Sequence, residues 1–259
     1  MKKILKAAAA AFSTFSVIPM PRIEWNAQSL SGLLAALPLV GAVIGLVCWL
    51  FILLAGLLEL PRILSAGGLT LIPLALSGGI HMDGFADTVD ALKSYGDQEK
   101  KRAILKDPHV GAFAVIGTVC WLLLYFALCA SLPLNDKMLA LLGLTHVTAR
   151  ACGALAGAVL PSSSKQGMLY SFREAVSRSD VRILIGWLVI SLAVAAVLMP
   201  LAAVLSAAAA AGVFLYVKRT ARKQFGGMSG DLAGFCISVT EIALLAAQVL
   251  AERMVTLWF

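Results

Sequence analysis

Residues 183–217 read ILIGWLVISLAVAAVLMPLAAVLSAAAAAGVFLYV, a run without a single charged side chain. A helix needs roughly 20 apolar residues to cross the hydrocarbon layer of a bilayer, so this stretch holds two short crossings. Pro200 stands at its middle, where a missing backbone donor marks the turn between them. Outward from this run, residues 27–58, 63–80 and 110–135 also carry no charge. Two further apolar stretches carry one each: Arg150 within 138–160 and Glu241 within 232–251. Across the chain 60% of residues are hydrophobic and 14% charged, against about 25% charged in a soluble domain. The expected fold is all-α: a polytopic transmembrane helical bundle of about seven spans, forming a single integral membrane domain over residues 1–259.

Lysine and arginine favour the cytoplasmic side of a membrane. With the N-terminus inside, alternation puts Lys2, Lys3, Lys6 and Arg22 on that side, then the basic residues of 93–106, 165–182 and 218–223. Only Arg62, Lys137 and Arg253 fall outside. The asymmetry accounts for the net charge of +7 without nucleic acid as a partner. It suits anionic lipid heads and attracts a phosphorylated substrate. The reading is therefore a multi-pass membrane protein with its site loops cytoplasmic. Lys2, Lys3 and Lys6 before the apolar residues 7–18 resemble the start of a signal peptide. The run is interrupted by Ser13, Thr14 and Ser16 and followed by Pro19 and Pro21, with no clear small-x-small cleavage site. A retained interfacial or re-entrant helix fits better. The five cysteines all lie in apolar stretches with no CxxC pair, so neither a disulfide framework nor a thiolate metal site is expected.

Chemistry concentrates in residues 76–91, LSGGIHMDGFADTVDA. Asp83, Asp87 and Asp90 stand at i, i+4 and i+7, within about 60° of one helix face. Like charges so placed repel, and a cation would neutralise them. Oxygen ligands alone favour a hard metal, Mg²⁺ or Mn²⁺. Gly84, inside the triplet, allows a phosphate or a neighbouring helix to approach. The plain alternative is a solvated acidic helix end. Lys106 and Asp107 precede the third span, as a phosphate contact and a further ligand, or as ordinary helix capping. Near the C-terminus Gly226, Gly227 and Gly230 lead into Asp231, and glycines at a helix start expose donors that suit phosphate. Asp231, Gly234, Ser238 and Glu241 share one face within about 80°. Glu241 and Arg150 are intramembrane charges and so functional candidates, or else a structural ion pair with each other.

The segment from Ser77 to Ala91 resembles the signature of the cobalamin (5′-phosphate) synthase family. The likeness continues through Phe15 to Pro21, Pro38 to Gly41 with Gly45, Lys106-Asp107 with Gly111 to Phe113, Arg150, and Gly226-Gly227 through Gly230-Asp231 with Glu241. It spans nearly the whole chain in order. It departs at Val17, where the family usually has Arg before Ile-Pro, and residues 183–217 match no family motif.

The resemblance implies a late step of cobalamin (vitamin B12) biosynthesis. Adenosylcobinamide-GDP and α-ribazole, or α-ribazole 5′-phosphate, would give adenosylcobalamin, or its 5′-phosphate, and GMP. It implies Mg²⁺ as cofactor. On this view Asp83, Asp87 and Asp90 hold metal. Asp107, Asp231 and Glu241 are further metal or base candidates, and Lys106 and Arg150 contact phosphate. Gly84, Gly226, Gly227 and Gly230 admit the phosphates. His81 lies off the aspartate face and is read as a substrate or structural residue. Two other classes fit part of the pattern. One is a CDP-alcohol phosphotransferase acting on lipid. The other is a membrane transporter, although no internal symmetry of the usual kind is visible.

Overall fold

The computed structural model describes residues 2–21 and 30–258. Arg22 and the start of the first expected span, residues 27–29, lie outside the described residues. The described chain is helical. A short α1 (Lys2–Phe15) precedes α2 (Leu33–Leu57), α3 (Arg62–Ser77), α4 (Ile80–Lys93), α5 (Gln98–Ile104) and α6 (Ala112–Ser131). Then come α7 (Asp136–Val159), α8 (Met168–Glu174), α9 (Arg178–Leu198), α10 (Pro200–Thr220), a π-helical turn (Ala221–Phe225) and α11 (Gly230–Trp258).

Six of these helices are long and apolar enough to cross a membrane: α2, α6, α7, α9, α10 with its π turn, and α11. The seventh expected crossing is α3, which at 16 residues is about 24 Å long. It stops at Gly78 and Gly79, both in the left-handed region with φ of 61° and 75°, where residues with a Cβ are strained. The chain turns by 94° there, and α4, whose aspartates lie beyond the charge-free run 63–80, packs against α11 and α6. The break between α9 and α10 falls at Pro200, the first residue of α10, where a helix tolerates proline best.

The two stretches that carried an internal charge become the centre. Buried positions make up 72% of the apolar window of α7 and 67% of that of α11, against 17% for α9 and for α10. Outer helices present Leu123, Val189, Ile190 and Val197 outward, the side chains that suit lipid. Lipid tails are as apolar as leucine, so helices in a bilayer associate through close packing of small residues. Gly41 and Gly45 on α2 do this against α7. A Cβ on Gly41 would overlap the backbone carbonyl of His146, and one on Gly45 would lie 2.6 Å from Gly143 Cα.

A paired substitution isolates this packing. Gly41→Ala and Gly56→Ala sit in the same helix, and both gain about 1 kcal/mol of intrinsic helix preference. Gly56 has open space around it. Gly56→Ala should leave thermal stability in detergent unchanged or raised, while Gly41→Ala lowers it by about 1–3 kcal/mol through overpacking. Equal behaviour of the two variants would contradict the α2–α7 contact.

Candidate active site

After the elbow, α4 lies directly on the start of α11. A Cβ on Gly84 would come within 2.8 Å of Asp231 Cα, and one on Gly234 within 2.9 Å of the His81 carbonyl oxygen. Phe85 stacks on Phe235, with centroids 5.6 Å apart and planes at 11°. The Ser238 hydroxyl donates to the His81 carbonyl at 3.3 Å. This contact puts Asp231 beside the aspartates of α4. The Asp87 carboxyl is pushed up to about 6 by burial and then by the charges of Asp83, Asp231 and Asp90. Among the described residues no Lys, Arg or His forms an ion pair with these carboxylates.

The three aspartates of α4 nevertheless do different things. Asp83 and Asp231 line a cavity of about 980 Å³, together with Gly84, Lys106 and Gly230. Asp90 is turned toward α6, where a Cβ on Gly111 would overlap both of its carboxylate oxygens. Sharing a helix face does not bring side chains to one point, since seven residues advance about 10 Å along the axis. Among the described residues no group of three or more His, Cys, Asp or Glu side chains is placed to hold an ion alone. Of the expected ligands, Asp83 and Asp231 line the cavity, where Glu99 of α5 joins them, and Asp87 does not line it.

Three basic loops meet at this end of the bundle. Arg102 donates to the Phe225 carbonyl at 3.5 Å, Lys101 to Gln224 Oε1 at 2.7 Å, and Gln98 to the Lys223 carbonyl at 3.1 Å. The loop after α7 is tied to the loop before α11, with Met228 N–H donating to Pro161 at 2.7 Å and Ser163 N–H to Met228 at 2.9 Å. Gly226 ends the π turn with φ 74°, and Gly227 packs on the backbone of Ser162 and Ser163. Both shape the loop rather than line the cavity. Arg102 and Ser162 to Ser164 do line it, and the sequence reading missed them. Their signal is long-range, since they come from loops 60 residues apart in the chain. Asp107 lies outside the cavity. It is exposed and accepts from the His109 backbone at 3.0 Å, with His109 Nδ1 at 2.6 Å. These bonds hold its carboxyl below the usual range.

Glu241 stands ten residues beyond Asp231, about 15 Å deeper along α11. It pairs with Arg150 at 2.8 Å and with His146 Nδ1 at 2.9 Å. Arg150 also donates to the His146 carbonyl at 3.1 Å. Arg150 is 1% exposed and Glu241 5%, and neither lines the large cavity. The geometry is the structural ion pair between α7 and α11, joined by a histidine that the sequence reading passed over. His146 and Arg150 at i and i+4 share one face, which was the available signal. Leaving one charge of a buried pair alone costs about 3–5 kcal/mol, while replacing both by apolar groups is often neutral. Glu241→Leu should therefore lower stability in detergent by about that amount, and Arg150→Met with Glu241→Leu should recover most of it. A double variant as unstable as the sum of the single ones would show that the pair is not the partner each charge needs.

The sequence pattern described as cobalamin-5-phosphate synthase matches residues 7–249. A protein of Lachnoclostridium phytofermentans named adenosylcobinamide-GDP ribazoletransferase is 37% identical over 246 residues, covering 95% of this chain and 94% of its own length. Proteins of the same name from Geobacillus kaustophilus and Clostridium perfringens are 34% and 30% identical, covering 94% and 93% of this chain and 95% and 96% of their own. No solved structure matches the chain. A match over almost the whole length of a helical chain with six helices able to cross a membrane leads to one conclusion: the chain belongs to the cobalamin-5-phosphate synthase family.

Proposed function

We propose that the protein is an adenosylcobinamide-GDP ribazoletransferase working at the cytoplasmic face of a bacterial inner membrane, late in cobalamin biosynthesis. The observation that carries this reading is a single cavity with Asp83 and Asp231 on one element pair and Arg102 and Lys106 on another, in a chain of this family. The family and its relatives favour this reaction over the lipid phosphotransferase and the transporter. The meeting of three basic loops at the cavity end supports the cytoplasmic orientation.

The 3′-hydroxyl of α-ribazole, or of its 5′-phosphate, attacks the phosphorus nearer cobinamide. A new P–O bond forms as the bond from that phosphorus to the bridging oxygen breaks. The electron pair leaves with GMP, and adenosylcobalamin, or its 5′-phosphate, remains. Asp231 and Asp83 both face the cavity, so either carboxylate can accept the hydroxyl proton. Arg102 and Lys106 supply positive charge for the diphosphate. The donor set of Asp83, Asp87 and Asp231 is all carboxylate oxygen, and Asp87, pushed up to about 6 by burial and then by its neighbours' charges, would be relieved of that repulsion by a divalent cation. These residues fit Mg²⁺, with Mn²⁺ as the alternative. Mg²⁺ is commonly held by one or two carboxylates plus substrate phosphates, which agrees with a site that assembles no triad of its own. When bound, the metal neutralises the diphosphate and acidifies the attacking hydroxyl.

Purified protein in lipid, given adenosylcobinamide-GDP, α-ribazole and Mg²⁺, should release GMP and adenosylcobalamin in equal amounts. Asp83→Asn and Gly84→Ala should each lower turnover at least ~100-fold, the first by removing a ligand and the second by displacing α4 from Asp231. Both should remain monodisperse. Wild-type protein that makes no product, or an Asp83→Asn variant with unchanged turnover, would overturn the proposal.

A further inference from the structure

The cavity has an aromatic arm that phosphoryl transfer does not explain. Phe15 at the end of α1, His81 in the first turn of α4 and Phe172 in α8 all line it. The imidazole of His81 stacks on Phe15, with centroids 5.8 Å apart and planes at 25°. Phe172 meets Phe15 edge-on at 6.2 Å. Phe15 is held in place because Val17 N–H donates to the Leu76 carbonyl at 2.9 Å, at the elbow. Leu34, Leu37 and Leu169 complete an apolar wall.

His81 is 7% exposed, yet its Nε2 finds no hydrogen-bond partner among the described residues. Buried polar atoms are nearly always satisfied, and an exception calls for an explanation. The atom itself is buried, so a ligand in the cavity would supply the partner only with a small rotation of the imidazole ring. The arm offers flat apolar rings and one ring nitrogen, whereas the cavity's cations, Arg102 and Lys106, belong to α5 and the residues after it. Phosphate has no counter-charge among these rings. Guanine, with donors and acceptors along its edge, would bury several groups unpaired, which binding sites reject strongly. A benzimidazole presents a hydrocarbon edge and a single free ring nitrogen.

We propose that Phe15, His81 and Phe172 form the subsite for the flat nitrogen base of α-ribazole. His81 Nε2–H donates to the free nitrogen of the benzimidazole, and the phenyl rings pack on its hydrocarbon surface. Asp83 lines the same cavity from a different face of α4, so a base held by His81 leaves its ribose in the space that the carboxylate borders. This assignment rests on the transferase reading and names which substrate occupies which arm.

Equilibrium dialysis of α-ribazole against full-length protein in lipid nanodiscs tests it without turnover. Phe15→Leu and His81→Leu should each weaken α-ribazole at least about tenfold. His81→Gln, whose amide reaches as far as Nε2, should retain affinity within about threefold. Adenosylcobinamide-GDP affinity should change by less than about twofold in all three, which also reports that they are folded. Unchanged α-ribazole affinity in Phe15→Leu and His81→Leu would overturn the subsite, as would a loss of adenosylcobinamide-GDP affinity instead. Should Phe15→Leu alone stay folded, its two affinities decide the question. Failure of the transferase reading would show differently, as wild-type protein that binds α-ribazole and forms no adenosylcobalamin.

Discussion

Gly84 and Gly234 allow two helix backbones to touch, and the charged end of the molecule is organised by that contact. The α4 helix could not lie against α11 with a side chain at either position, because the added carbon would meet backbone rather than a movable side-chain end. Once the helices touch, Asp231 stands beside the aspartates of α4, and the first turn of α4 brings His81 and Asp83 to the wall of the same cavity. The left-handed glycines at 78 and 79 make the turn that delivers α4 to this place. Four glycines thus position two carboxylates and an imidazole contributed by segments some 150 residues apart in sequence.

Two acidic systems in the same helix bundle follow opposite electrostatic rules. Glu241 lies deep in the bundle, where an isolated charge is costly, and it is fully matched by Arg150 and His146. Nothing about it calls for an external ion. Asp83, Asp87 and Asp231 lie on α4 and at the start of α11, and among the described residues none of them has an ion-pair partner. Burial, and then the repulsion among neighbouring carboxylates, raises the Asp87 carboxyl. A matched charge buried between helices holds a fold together. We propose that the unmatched cluster, with Asp83 and Asp231 at the cavity wall, takes a cation there and with it an anionic substrate.

Much of this was legible in the sequence, for physical reasons that also set the limit. Hydrophobic length alone located the spans, and Pro200 marked the break between α9 and α10. The periodicity of Asp83 and Asp87, with Gly84 between them, identified the element that carries the site. Periodicity gives the face of a helix and leaves its neighbour unknown. Asp90 shares the face with Asp83, yet it meets Gly111 of α6 because the helix has advanced beyond the cavity. Arg102 and the serines at 162–164 were invisible for the same reason, since only folding brings their loops together. Asp107 looked like a ligand from its place before a span, and a local turn with His109 occupies it instead. His146 in an apolar run reads as a core residue until Glu241 is seen across from it.

We propose that the acidic cluster and the substrate diphosphate share a cation. Neither anion tolerates the other without it, and linkage requires metal and substrate to strengthen each other's binding by the same factor. Isothermal titration calorimetry of adenosylcobinamide-GDP into the reconstituted protein, with Mg²⁺ and then with chelator, measures that factor. The account predicts affinity at least about tenfold higher with Mg²⁺, a coupling of about 1.4 kcal/mol. Equal affinity in the two conditions would contradict it.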